Sequence, residues 1–207
     1  MQQKDPRRME VTFLISENGK RELLSIAREA VAHAVSRQAY IPPEPDNEEL
    51  RRDAGGFVTL RESGELRGCI GYVEARLPLY KTVAETAAKA AVGDPRFEPL
   101  SDNELNIIDV EISVLSPLHE TKNIDEIVVG KHGVLIEKGF YRGLLLPQVA
   151  TENNWNKEQF LRYTCAKAGL DQECYKNPGV KIFVFTAEVF SEEELGAARE
   201  ESAVERK

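Results

Sequence analysis

The alternation of hydrophobic and polar positions predicts a chain in which helices and hairpins are mixed. Apolar residues recur every three or four positions between Gly19 and Tyr40, which predicts a helix that Asn18 would cap. A second helix is expected from Pro78 to about Val92, and Gly93 would end it. The stretch "IPPEPDNEEL" between them holds three prolines and four acids, so we expect an exposed loop there.

The segment "GFVTLRESGELRGCIGYV" predicts a hairpin that turns between Glu62 and Glu65. In a regular second strand Leu66 and Gly68 would face one side, and Arg67 and Cys69 would share the other. Glycine weakens a strand because it has nothing to pack. Gly68 is therefore expected where the following helix, itself rich in alanine, lies very close to the strand.

The rest of the chain predicts further strands and helices. A strand spans "NIIDVEISVLSP", a hairpin turns near Lys138-Gly139, and two helices open at Pro147 and at Asn156. "VKIFVFTAEVF" predicts one last strand. Together these elements predict an α+β fold with mainly antiparallel sheets and flanking helices. We expect residues 1–190 to form one domain and residues 191–207 an acidic C-terminal helix or tail.

Composition narrows the class of protein. The 207 residues carry a net charge of −8, which disfavours a nucleic-acid partner. The amino end lacks the apolar core of a secretory signal, and the longest apolar runs are too short to span a membrane. Three cysteines form an odd and sparse set. This favours a soluble cytoplasmic protein with three free thiols and no structural disulfide.

The common signatures of enzymes with bound metals or cofactors do not occur. The three histidines are widely separated, and no CxxC, phosphate-binding glycine loop or GxSxG is present. We therefore expect no metal site, and the sequence points to no particular cofactor.

Cys69 is the candidate for chemistry. A nearby cation favours the reactive thiolate, and Arg67 is two residues away. "DPRF" adds Asp94 and Arg96 at a helix end, and His132 lies in a glycine-bracketed turn where it could act as acid or base. Of the other two cysteines, we expect Cys165 to pack in a helix and Cys174 to lie exposed in a polar loop. The competing interpretation is a strand of small residues under a closely packed helix.

Several blocks resemble the AMMECR domain family. They are "LRGCIG" at 66–71, "DPRF" at 94–97, "HG" at 132–133, "LPQVATENNW" at 146–155 and "KAGL" at 167–170. The resemblance implies an α+β fold of two unequal sheet-and-helix lobes and an unsettled biochemical activity. It also implies a housekeeping role linked to replication, repair, transcription or translation. Prokaryotic members are associated with radical S-adenosylmethionine and Memo-like proteins, which points to a shared modification pathway.

Two hypotheses follow. In the first, the protein is an enzyme or enzyme component with Cys69 and His132 as catalytic candidates, and its binding residues are Arg67, Gly68, Gly71, Asp94 and Arg96. In the second, it is a non-catalytic binding or adaptor module that uses the same surface. The partner is an unidentified small molecule or protein in either case, and a nucleic-acid role is a weaker third interpretation. Convergence of Cys69, Arg67, Arg96 and His132 on one concave pocket would favour the enzyme. If these side chains scatter, or if they face a flat apolar patch, the adaptor is favoured.

Overall fold

Helices and antiparallel hairpins are mixed in a computed structural model that describes residues 14–196, and the predicted α+β class is confirmed. The helices are α1 (Glu17–Val35), α2 (Glu48–Arg51), α3 (Leu79–Val92), α4 (Pro147–Glu152) and α5 (Lys157–Lys167). The strands are β1 (Gly56–Glu62), β2 (Glu65–Tyr72), β3 (Ile108–Leu115), β4 (His119–Thr121), β5 (Gly133–Lys138), β6 (Tyr141–Leu145), β7 (Lys181–Phe185) and β8 (Ala187–Ser191).

The described chain divides into two compact units. The first comprises residues 14–115 and 188–196, and the second residues 116–187. The first unit holds a four-stranded sheet in the order β2-β1-β3-β8, and the second holds a sheet in the order β4-β7-β5-β6. Each unit has a hydrophobic core of its own. The expected tail beyond residue 196 lies outside the described residues.

Helix α1 begins and ends earlier than its sequence pattern suggests. The Ser16 hydroxyl, not Asn18, caps it by accepting the N–H of Gly19 at 3.1 Å. The helix ends at Val35 because Arg37 adopts a left-handed φ of 56°. The prediction of a loop between Ile41 and Leu50 was also wrong in part, since Asn47 caps the short helix α2 within it.

The predicted turn between β1 and β2 is confirmed. Ser63 and Gly64 have φ values of 51° and 83°, the pair that a two-residue hairpin turn requires. The strands then lose regular register, since Leu60 lies opposite Gly68 whereas Arg61 lies opposite Leu66. Arg67 is therefore an extra residue in a β-bulge. Because of this bulge, Leu66 and Gly68 point to opposite faces, contrary to the regular alternation we expected.

Helices α1 and α3 cover one face of the first sheet. Leu23 and Val31 of α1, and Leu79 and Val83 of α3, pack in the same core as Val58 and other buried residues of β1 and β3. The predicted close packing at Gly68 is confirmed, since a Cβ atom there would collide with the backbone carbonyl of Ala90 in α3.

The second unit contains a disulfide that the cysteine count did not predict. Cys165 in α5 and Cys174 in the following turn are joined, with their Cα atoms 5.9 Å apart. The prediction of three free thiols and an exposed Cys174 is therefore wrong. Gly169 reverses the chain after α5 with a φ of 73°, and both cysteines are buried. The predicted capping box of Asn156 and Gln159 at the start of α5 is confirmed.

The predicted last strand is two strands that belong to different sheets. β7 pairs with β4 and β5 in the second unit, whereas β8 is placed next to β3 in the first. Thr186 separates them, and its N–H donates to the Ser116 hydroxyl at 2.9 Å. Within residues 14–196, no helix combines the length and apolar character that a membrane crossing needs.

Candidate functional site

Cys69 lies on the face of the first sheet that is turned away from α1 and α3. Its neighbours Gly68 and Ile70 face the helices, so the Cys69 side chain points the other way. Directly opposite residues share a face, and Cys69 pairs with Thr59, which in turn pairs with Glu111 of β3. We call this the polar face and define it by Phe57, Thr59, Cys69, Glu111 and Ser113.

The Cys69 thiol is half-buried and free. The Thr59 hydroxyl donates a hydrogen bond to its sulfur at 3.4 Å. This contact between neighbouring strands fixes the direction in which the sulfur points.

The backbone of Cys69 is held on both sides by the "DPRF" segment. Its N–H donates to Asp94 Oδ2 at 2.9 Å, and its carbonyl accepts from Arg96 Nη2 at 3.2 Å. Strand β2 is at the edge of its sheet, so these two groups have no neighbouring strand to pair with. Asp94 and Arg96 thus replace the missing strand at this position, and we call them the clamp.

The clamp is itself an ion pair with two parallel hydrogen bonds. Arg96 donates from Nε to Asp94 Oδ1 at 3.0 Å and from Nη2 to Oδ2 at 2.7 Å. Asp94 is 4% exposed, and its hydrogen bonds with Arg96 hold the pKa of its carboxyl well below the usual range. The same pair raises the pKa of Arg96, with a smaller contribution from Cys69. The carboxylate therefore stays charged at neutral pH.

Arg67 is engaged elsewhere. Its Nε donates to Glu104 Oε1 at 2.7 Å, and its Nη1 donates to the carbonyl of Glu98 at 2.9 Å. The Arg67 guanidinium lowers the pKa of Glu104 to about 2. Arg67 therefore ties the segment after α3 to the bulge in β2, rather than pairing with the thiol as we expected.

The two candidate glycines in this strand serve packing. Gly68 admits the Ala90 carbonyl, and Gly71 admits the ring of Phe57, which lies where a Cβ atom of Gly71 would be. The Phe57 ring is thereby displaced over β2. These contacts account for both glycines around Cys69, so each has a structural reason to be there.

His132 belongs to the second unit, in the turn before β5. Its Nδ1 accepts the backbone N–H of Val128 at 3.2 Å, and its own backbone N–H donates to the Val128 carbonyl at 2.9 Å. The first unit thus brings Cys69, Asp94 and Arg96 together and places Arg67 beside them in an ion pair of its own. A role of His132 as acid or base stays a prediction.

The polar face also includes Thr59 and Ser113, which sequence reasoning did not select as site residues. Both alternate with buried apolar residues along their strands, and this pattern shows in the sequence that they face away from the helices. The register was the obstacle, because a regular hairpin from the Ser63-Gly64 turn would place Thr59 opposite Gly68. The bulge at Arg67 moves Cys69 into that position.

A family model named AMMECR1 matches residues 24–190. The chain belongs to the AMMECR1 family. A protein of Methanothermobacter thermautotrophicus is 44% identical over 189 residues, covering 86% of this chain and 97% of its own length. Protein TK0174 of Thermococcus kodakarensis is 44% identical over 182 residues, covering 83% of this chain and 89% of its own. The crystal structure of the uncharacterized protein PH0010 from Pyrococcus horikoshii matches with a TM-score of 0.78 and 39% identity, covering 83% of this chain and 90% of its own.

The site of this AMMECR1-family protein can support thiol chemistry or binding. It presents a half-buried sulfur whose backbone is fixed by a charged pair, and the side chains of Thr59 and Ser113 on the same face are buried. Nearby guanidinium groups are already paired with carboxylates, so they are less available to an anionic ligand than the sequence suggested. Within residues 14–196, no group of three or more His, Cys, Asp or Glu side chains could hold a metal ion.

Proposed function

We propose that the protein is an enzyme, or a component of one, that acts through the thiol of Cys69 on the polar face. The observation that carries this proposal is the clamp: Asp94 and Arg96 fix both backbone polar groups of the one residue with a free thiol. Preorganisation of this kind is what a reacting group needs, because it removes the cost of orienting the group at the moment of reaction.

The sulfur would act as nucleophile or as ligand contact, with Thr59 directing it. As nucleophile it forms a bond to an electrophilic carbon of the substrate, and the leaving group departs with the electron pair. The thiol proton passes to solvent, which reaches the half-buried side chain. The family resemblance extends the proposal to a modification pathway with radical S-adenosylmethionine and Memo-like proteins.

The alternative is a non-catalytic binding or adaptor module in a housekeeping process. The observation in its favour is that Arg67 and Arg96 are both paired, which leaves the polar face without uncompensated cationic charge from these residues. In that case Cys69 would only contact the partner.

Alkylation of the folded protein tests the proposal. We expect iodoacetamide at neutral pH to modify Cys69 in the native protein, with the site identified by peptide mapping and with Cys69→Ser as the blank. Cys69→Ser should retain the fold because the two side chains are similar in size. Labelling of Cys69 only after denaturation would reject thiol chemistry and favour the alternative, a non-catalytic binding or adaptor module.

A further inference from the structure

The first unit has a groove between α1 and α3 with a volume of about 250 Å³. Alanines of both helices line it, and these are Ala30, Ala34, Ala84 and Ala88. A cavity of about 150 Å³ is enough for a benzene ring, so this groove has room for one ring with a short side chain. It lies between the helices that cover one face of the first sheet, whereas Cys69 points from the other face.

Tyr40 and Pro42 form a wall of this groove. The chain reverses after α1 because Arg37 adopts a φ of 56°, and the N–H of Gln38 donates to the carbonyl of His33 at 2.8 Å. The His33 ring then lies against the Tyr40 ring, with the two centroids 4.9 Å apart. These contacts hold an aromatic ring beside the alanines. Because aromatic rings favour contact with one another, the groove suits a ligand that contains a ring.

Of the two charged residues that line the groove, Glu85 is paired and Lys81 is not. Glu85 Oε1 accepts from Lys89 Nζ at 2.8 Å and from the Tyr72 hydroxyl at 2.6 Å. The Lys81 ammonium lies 5.6 Å from the centroid of the Tyr80 ring, and it has no carboxylate partner among residues 14–196. The groove therefore offers one positive charge that the described residues do not compensate.

The Tyr40 hydroxyl is a second donor at this groove. Burial, and to a smaller extent the charge of Glu29, raises the pKa of Tyr40, so the hydroxyl stays protonated at neutral pH. Within the part of the chain that the structure describes, this hydroxyl has no hydrogen-bond partner. An ammonium and a phenol are both groups from which a carboxylate accepts hydrogen bonds.

We propose that the groove between α1 and α3 binds a small aromatic carboxylate, with its ring against the alanines and Tyr40 and its carboxylate beside Lys81. A mainly apolar lining with a few polar groups is typical of sites for small ligands. The ligand brings the negative charge that Lys81 lacks, and its ring removes water from the alanine methyl groups. The site is separate from Cys69, so the inference goes beyond the proposed function and does not depend on it.

Titration with phenylacetate, followed by NMR of ¹³C-labelled alanine methyl groups, tests the inference. We expect saturable shifts at Ala34 and Ala88, which are half-buried in the groove, and none at Ala150 of the second unit. Ala88→Leu should abolish the shift at Ala34, because the larger side chain fills the groove. Ala166→Leu, at an exposed position of α5, is the matched control and should leave the titration unchanged.

Two further probes test the charge of the ligand. Phenylacetamide has the same ring without the charge, and 2-phenylethylamine carries the opposite charge. We expect phenylacetate to bind about two- to five-fold more tightly than phenylacetamide, the value of one exposed ion pair. Lys81→Gln should remove this difference, whereas Lys138→Gln, at an exposed position of the second unit, should keep it.

Three results would overturn the inference. The first is the absence of saturable shifts at Ala34 and Ala88 with phenylacetate. The second is binding of the amide or the amine that is as tight as that of phenylacetate. The third is a preference for phenylacetate that persists in Lys81→Gln. Each of these results leaves the proposed function of Cys69 standing, because that function is measured by alkylation at a different face of the sheet.

Discussion

Asp94 and Arg96 hold the backbone of Cys69, which lies twenty-five and twenty-seven positions earlier in the chain. The Asp94 carboxylate is buried and accepts hydrogen bonds from Arg96 and from the Cys69 backbone. A buried charge is tolerated only when it is paired, so the two side chains are best understood as one unit. The clamp explains why the "DPRF" segment belongs with the strand of Cys69, a link that spacing along the sequence does not indicate.

Removing only the Arg96 side of the clamp should destabilise the protein more than removing the charges of both Asp94 and Arg96. We expect Arg96→Leu to destabilise the protein by about 1–3 kcal/mol, because the buried Asp94 carboxylate loses its charged partner and keeps only the backbone N–H groups of Cys69 and residue 96. The double variant Asp94→Asn/Arg96→Leu should be more stable than Arg96→Leu alone. Urea unfolding of Asp94→Asn, Arg96→Leu and the double variant measures this, and a double variant that loses the sum of the two single effects would show that the two residues act independently.

The ion pair of Arg67 and Glu104 should make stability depend on pH. The folded pKa of Glu104, about 2, is below its ordinary value of 4.5, so its contribution is fully present above pH 4.5 and is lost as the pH falls toward 2. Glu104→Gln should therefore destabilise the protein at pH 7, and the difference from wild type should shrink at pH 3. Glu98→Gln, an exposed residue nearby, is the control. A difference that stays constant between pH 7 and pH 3 would contradict the assignment.

Gly68 should not tolerate even a methyl group. Its Cβ position coincides with the Ala90 carbonyl in α3, and backbone cannot move aside as a flexible side chain can. We expect Gly68→Ala to cost about 1–3 kcal/mol. Gly196→Ala, where nothing lies within 4 Å of the added carbon, is the matched control. Equal unfolding midpoints for the two variants would show that α3 does not pack on β2 as described.

At the scale of elements, patterns set by neighbouring residues were predictable from the sequence. The Ser63-Gly64 turn and the Asn156–Gln159 cap each depend on residues within four positions, and both were confirmed. The bulge at Arg67 was not predictable, because both registers of the hairpin satisfy the local turn. The bulge depends on long-range contacts. The Ala90 carbonyl leaves room only for a glycine on the face toward α3, and the clamp binds the backbone of Cys69 at the open edge of the sheet.

The disulfide connects α5 to the turn that follows it. The two cysteines are nine residues apart, and closing a loop of this length stabilises by about 2–3 kcal/mol in the chain-entropy description. Alkylation in denaturant without a reductant should modify one cysteine per chain, and after reduction all three. Intact mass measures both. Three modified cysteines without reduction would refute the bond and restore the original expectation of free thiols.

At the scale of the whole molecule, the two units are not simple halves of the chain. The first unit begins near the amino end and regains the chain at residue 188, after the second unit is complete. The sequence presents "VKIFVFTAEVF" as one apolar run, and no local signal marks Thr186 as the point where the chain changes sheets. Which sheet each half joins depends on partners seventy or more residues away, such as Ser116 for Thr186.

Some residues of the candidate site could be selected from the sequence, and others could not. The sequence selected Cys69 because it lies between glycines, and Asp94 and Arg96 because they lie at a helix end. The first unit places all three together. Thr59 and Ser113 were missed because their alternate positions show only which residues of their own strand share a face, and the register that puts them on the face of Cys69 depends on the bulge. His132 belongs to the other unit, and its distance in sequence from Cys69 gave no means of relating the two.

The most direct test of the account is the rate at which Cys69 reacts with iodoacetamide in the native protein, divided by its rate in the urea-unfolded chain at the same pH. If the clamp presents a reacting thiol, the ratio exceeds one in wild type and falls in Arg96→Lys, which keeps the charge but loses the two-pronged geometry. A native rate at or below that of the unfolded chain, unchanged by Arg96→Lys, would contradict the account. The clamp would then serve only to satisfy the backbone groups at the edge of β2.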